Sequence, residues 1–345
     1  MDEIRGVWMT NVDISPVLTS KQEIISAMHF LKQTGFNVVF PVVWNKGFTL
    51  FRSHVMRDTF HVDLFPQLKG RDPLAEVVEE AHRVGIKVIP WFEYGFACSP
   101  DHDGGHILNK KPQWKVRMPD GTLLRSGHLT WMNALHPEVQ DFMQRLIVEM
   151  VTKYDVDGIQ GDDRLPAFPK EGLQSPDIDP KLKNVKAGAK ALTDFLTRLH
   201  SAVKKVGQHK HKNLVVSIAP SPYNYCYENF LQDTPAWVQQ GLVDIIHPQI
   251  YREISKQYHD EVDQIRKDFP KDLNKFAPGI AFKANKVNIT STQLKDYIQT
   301  NRIKGLGGHV LFTYEGLRRN NDEMATALIQ GPHAQLASLP SPFRA

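Results

Sequence analysis

Short apolar runs alternate with amphipathic stretches along nearly the whole chain. The segments 4–10 (IRGVWMT), 37–44 (NVVFPVVW), 86–94 (IKVIPWFEY), 156–161 (VDGIQG), 214–220 (LVVSIAP), 243–251 (VDIIHPQIY), 276–282 (FAPGIAF) and 308–314 (GHVLFTY) read as strands. They are continuously apolar and bounded by glycine and proline, as suits a parallel sheet covered on both faces. Between them, 20–35, 73–85, 136–154, 190–207, 234–241, 258–269, 291–305 and 321–331 carry helical periodicity, several with proline early or glycine at the end. Strict alternation predicts an α/β fold, and a count of eight units favours a closed (β/α)8 TIM barrel. An open doubly wound sheet is the runner-up, but no G-x-G-x-x-G follows a strand. The barrel is expected over residues 1–332, with 333–345 as a loose C-terminal tail.

Connections differ in length by side. Helix-to-strand turns are short, whereas the βα loops 2, 3 and 4, over 45–72, 95–135 and 162–189, are long. In such a barrel the site is built from loops after the strands' C-terminal ends, and long loops usually work. These three are expected to wall a cleft. Their aromatic residues either stack on sugar rings or pack the loops onto the barrel.

Composition adds little. The 345 residues are 41% hydrophobic and 23% charged, with a net charge of +4. That balance gives no argument for nucleic acid, and no apolar run is long enough to span a bilayer. The opening MDEIRGVWMTNV lacks the basic and apolar pattern of a signal peptide. Cys98 and Cys226 allow one disulfide, and no Cys/His spacing suggests a metal site.

Chemistry concentrates at DVDGIQGDDR (155–164). Alternate strand residues face opposite ways, so Gln160 and Asp162 are expected at the inside and mouth of the barrel. Asp162 is the first candidate for a catalytic carboxylate and Asp163 the second, with Arg164 as a charge partner. Asp155 reads as a turn residue and Asp157 as structural. Other strand ends offer Glu93 and Glu315 as further acids. Trp8, Asn11, Trp44, Asn45, Tyr94, Gln160, Arg164, Tyr223, Asn224, His247, Gln249 and Tyr251 are candidate substrate contacts. Cleavage of a glycosidic bond needs two carboxyl groups flanking that bond, one protonated and one ionised. Here Asp162 is the candidate for the ionised role, and Glu93 or Glu315 for the acid. No metal or other cofactor is called for. HKH (209–211) lies on the wrong side of the barrel, DHDGGH (101–106) reads as a polar turn, and no G-x-S-x-G elbow is present.

The segments RGVWMTN, FNVVFPVVW, WMNALHPEVQDF, YDVDGIQGDDR, DIIHPQIY and GHVLFTYEGL together resemble the glycosyl-hydrolase-like family 10 group, over roughly residues 2–330. The resemblance implies a bacterial glycoside hydrolase-like barrel acting on a polysaccharide, with peptidoglycan glycan strands as a candidate substrate. It also implies an exported or cell-envelope location. It carries Asp162 and Asp163 over as the family's paired aspartates, and adds Trp8, Asn133, His136, Gln249 and Tyr251 as pocket residues or supports. Two positions depart from the family pattern, which often has asparagine at Glu93 and an aromatic at Arg164. A carbohydrate-binding barrel without catalysis and a polysaccharide deacetylase are the alternatives.

Overall fold

A computed structural model describes residues 1–12, 15–284 and 287–343. The chain is a (β/α)8 barrel. Its strands are β1 (Ile4–Met9), β2 (Val38–Pro41), β3 (Lys87–Val88), β4 (Gly158–Gly161), β5 (Val215–Ile218), β6 (Ile245–Ile246), β7 (Gly279–Ala281) and β8 (Gly308–Phe312). Neighbours run parallel at the junctions β1–β2, β2–β3, β4–β5, β5–β6, β7–β8 and β8–β1. Two looser seams complete the ring. Trp91 bridges to Gln160 between β3 and β4, and Ile246 and Gln249 bridge to Phe276 and Gly279 between β6 and β7.

The ladder is shorter than the apolar runs predict, most clearly in β3 and β6. Pro90 and Pro248 stand where those runs would continue. Proline has no N–H to give a ladder.

Helices follow the strands in turn: α1 (Lys21–Gln33), α2 (Pro73–Arg83), α3 (Pro137–Lys153), α4 (Val185–His209), α5 (Thr234–Gln239), α6 (Ser255–Asp268), α7 (Ser291–Ile303) and α8 (Tyr314–Ile329). Their faces explain their places. In α1 the buried residues are Ile24, Ala27, Met28 and Leu31, one stripe at helical spacing. Ser20 caps that helix by accepting from the Glu23 N–H at 3.1 Å. Helix α4 starts five residues before its expected position because Asn184 caps it, accepting from the Ala187 N–H at 2.9 Å. Helix α8 begins directly after β8, ahead of the expected 321, and is interrupted by non-helical residues from Arg319 to Asp322.

The expected loose tail is not loose. His333 is buried and bonds to the Thr34 carbonyl at 2.8 Å. Ser338 exchanges backbone bonds with both Met1 and Glu3. Residues 333–343 thus lie along the barrel floor; the last two positions are outside the described residues. Both cysteines are free and buried, so the disulfide allowed by the sequence is absent.

Candidate active site

The chain leaves β4 through a tight reversal. The Asp162 and Leu165 backbones exchange two hydrogen bonds, each 3.1 Å. Gly161 permits this, since a Cβ there would stand 2.2 Å from the Leu165 carbonyl oxygen. Gly95, at φ +52°, lets the neighbouring loop close on the same turn, and a Cβ there would stand 2.2 Å from the Arg164 carbonyl oxygen.

The reversal fixes Asp162 at the mouth, 2% exposed. Its Oδ2 accepts from Trp91 Nε1 at 2.7 Å. Its Oδ1 accepts from Gln249 Nε2 at 2.7 Å and from the Asp163 N–H at 2.6 Å. Arg164 stands beside both aspartates, with Nη1 3.3 Å from Asp163 Oδ1 and 3.8 Å from Asp162 Oδ2. The same Nη1 donates to the Glu93 carbonyl at 2.9 Å. Glu93 Oε2 accepts from Asn45 Nδ2 at 3.1 Å, and Asn45 also donates to Asn11. These groups share one small cavity of about 70 Å³, lined by Trp8, Trp91, Glu93, Asp162, Asp163, Arg164, Gln249, Tyr251 and Phe312.

Burial and the adjacent Asp163 carboxylate hold the Asp162 carboxyl well above the usual range, with Arg164 pulling the other way. Burial also raises Glu93, against the pull of Arg164. Burial together with both aspartates raises the Tyr251 phenol. A proton on Asp162 has a place to sit. Oδ1 accepts from two N–H donors, whereas Oδ2 accepts from Trp91 alone. Burial and Asp163 thus weigh against the ionised role expected of Asp162, while Arg164 and the Asp163 amide favour it.

The cavity brings together Asp162, Asp163, Glu93, Trp8, Arg164, Gln249 and Tyr251. Other candidates fall elsewhere. Glu315 is not in its lining; its carboxylate accepts from Ser15 and Thr313 hydroxyls at the start of α8. Gln160 is fully buried beneath the site, accepting from Trp8 Nε1 at 2.6 Å and donating to Ser217 at 3.1 Å. His247 is buried below it, bonded to the Ala277 carbonyl and packed on Trp8 and Phe40. Burial lowers its pKa to about 4.

Trp44 and Tyr94 are buried too, Trp44 donating to the Gly95 carbonyl at 2.9 Å. The aromatic residues of the long loops follow the packing alternative: Phe51, Phe96, Trp114, Trp131 and Phe168 are buried in the core. Asn11 and Asn45 stand behind Glu93, while Tyr223 and Asn224 line a separate groove. Asn133 accepts from the Leu135 N–H, and it is His136 that caps α3. The sequence reading missed Trp91 and Phe312 as lining residues. Trp91 was open to the period-two argument, being two residues before Glu93.

Among the described residues no three His, Cys, Asp or Glu side chains converge as for a metal ion. No described helix is long and apolar enough to cross a membrane.

Residues 3–299 match the family described as Glycosyl hydrolase-like 10. The chain is 26% identical over 294 residues to glycosyl hydrolase DigH of Escherichia coli, covering 73% of this chain and 66% of that protein. It is 24% identical over 287 residues to glycosyl hydrolase YngK of Bacillus subtilis, covering 73% and 54%. It thus spans less than two thirds of these relatives' length. In fold it is similar to the PgaB (BpsB) glycoside hydrolase domain of Bordetella bronchiseptica, with a TM-score of 0.68 at 14% identity over 95% of this chain and 98% of that one. A further likeness is alpha-L-fucosidase isoenzyme 2 of Paenibacillus thiaminolyticus, with a TM-score of 0.62 at 16% identity over 97% and 49%.

Proposed function

The chain belongs to the Glycosyl hydrolase-like 10 family, and from that premise we propose that it hydrolyses glycosidic bonds in a bacterial polysaccharide, with Asp162 as proton donor. The observation that carries this reading is the clamped Asp162 carboxyl, which shares a cavity at the barrel mouth with Asp163 and Glu93. Raised by burial, Asp162 keeps its proton and gives it from Oδ2 to the glycosidic oxygen as the bond from that oxygen to the anomeric carbon breaks. Asp163, paired with Arg164, carries the negative charge that the developing oxocarbenium needs. It either attacks the anomeric carbon or takes the proton of the attacking water; the anomer first released distinguishes the two. Trp8, Tyr251 and Phe312 supply aromatic walls. Peptidoglycan glycan strands are the first substrate to test, because the family resemblance points to them.

The experiment is digestion of purified strands with mass analysis of the fragments, using parent protein, Asp162→Asn and Asp163→Asn. Shortened strands are expected from the parent. General acid catalysis is worth about 10²–10⁴-fold, so Asp162→Asn should lose turnover on that scale. It should recover much of it on aryl glycosides whose leaving group needs no proton; Asp163→Asn should not. Fragments of unchanged chain length that have lost acetyl groups would replace this reading with deacetylation. Binding with no change in mass would leave a carbohydrate-binding barrel.

A further inference from the structure

A second, much larger hollow of about 830 Å³ opens beside the acidic cavity, between the loops that follow β5, β6 and β7. The two share Gln249 and Tyr251 as wall residues, so they adjoin. This is the side of the barrel opposite in sequence to the long loops, whose aromatic residues are packed inward. The hollow has the size of a ligand pocket, whereas the acidic cavity alone is too small for more than the reacting part of a chain.

Its walls are suited to sugar. Tyr223 and Tyr225 stand on the loop after β5, and Tyr225 is 56% exposed although it is a large ring. An exposed ring at the rim of a groove offers a flat apolar face beside a polar hydroxyl. Arg252 and Glu261 form an ion pair of 2.6 Å within the same wall. Each retains further hydrogen-bonding capacity for hydroxyl groups. Tyr251 closes the series, its ring tilted on Phe312 with centroids 5.5 Å apart at the edge of the acidic cavity.

We propose that this groove holds the polysaccharide segment on one side of the bond to be cleaved. The chain runs from Tyr251 along Arg252 and Glu261 to Tyr223 and Tyr225. This rests on the glycoside hydrolase reading and deepens it by adding a direction. The substrate is a polymer gripped on the β5–β7 side, and affinity rises with chain length on that side.

The test is equilibrium binding of peptidoglycan glycan strands, graded by length, to Asp162→Asn protein, alone and combined with Tyr225→Ala or Arg252→Ala. Both added changes are at the surface of the groove, and thermal melting checks that each variant is folded. Affinity is expected to rise with strand length, and Tyr225→Ala to weaken binding of long strands about tenfold relative to short ones. That result supports the groove whether or not the parent protein cleaves, so it stands apart from failure of the catalytic reading. No dependence on length, or a dependence that survives both variants, overturns the proposal.

Discussion

Arg164 stands among three carboxyl groups. It touches Asp163 and Asp162 and donates to the Glu93 backbone. Its charge opposes the burial that raises Asp162 and Glu93. Replacing it with glutamine should let both rise further, because the opposing charge is gone. The proton donor then holds its proton to higher pH. The basic limb of the kcat/KM profile should move upward, while the rate at the optimum falls because Asp163 loses its partner. A pH–rate series on one substrate checks both. Asp162 itself was legible, because a carboxylate directly after a buried strand has few other reasons to be there. Its raised pKa was not, since that depends on how deeply the folded chain buries the carboxyl beside Asp163. Trp44 and His247 misled for the same reason. They lie at strand ends, but alternation alone does not say how far below the rim a side chain stops.

As an element, β4 is anchored at its floor as firmly as at its mouth. Just before it, Asp157 takes the Val88 N–H at 2.9 Å, His82 Nε2 at 2.8 Å and Lys87 Nζ at 3.0 Å, with Lys212 at 3.2 Å. These partners hold its carboxyl below the ordinary range in spite of burial. They tie β4 to β3 and α2, and reach the turn before β5. Asp157→Ala leaves these donors without their acceptor. It should cost about 3 kcal/mol, the scale of breaking a buried pair, read as a lower denaturation midpoint. The pH–rate profile should keep its shape. Element types were readable because buried parallel strands and amphipathic helices have different periods. Their ends were less so. Pro90 and Pro248 reduce the regular ladder to single bridges inside apolar runs, and Asn184 starts α4 early through a cap that the periodicity does not register.

At the scale of the molecule, the floor carries a buried charged cluster. Glu3 bonds Arg5 and Arg302, each at 2.8 Å, and His309 Nε2 lies 3.0 Å from His333 Nε2. Burial lowers the His309 pKa to about 4 from 6.5. Glu3, despite burial, is brought to about 2 from 4.5 by its arginine hydrogen bonds and His309. Both values are depressed, so in acid the unfolded chain takes up protons that the folded one refuses. The His309 contribution is complete above pH 6.5 and is lost as pH falls towards 4; that of Glu3 follows between 4.5 and 2. Melting temperature should therefore fall in two stages on acidification, and His309→Asn should reduce the first without removing it, since buried His247 and His333 are depressed as well. The barrel was legible from its eight repeats, whereas the strapped tail was not, because its polar, proline-containing sequence has no period. Its path has a practical result. Ser338 sits against Met1, and Pro342 accepts from Asn213 just ahead of β5. Met1 and Phe343 therefore both lie at the pole facing away from the candidate site. A fusion partner, affinity handle or solid support joined to either one would leave the entrance open to a bulky, insoluble substrate.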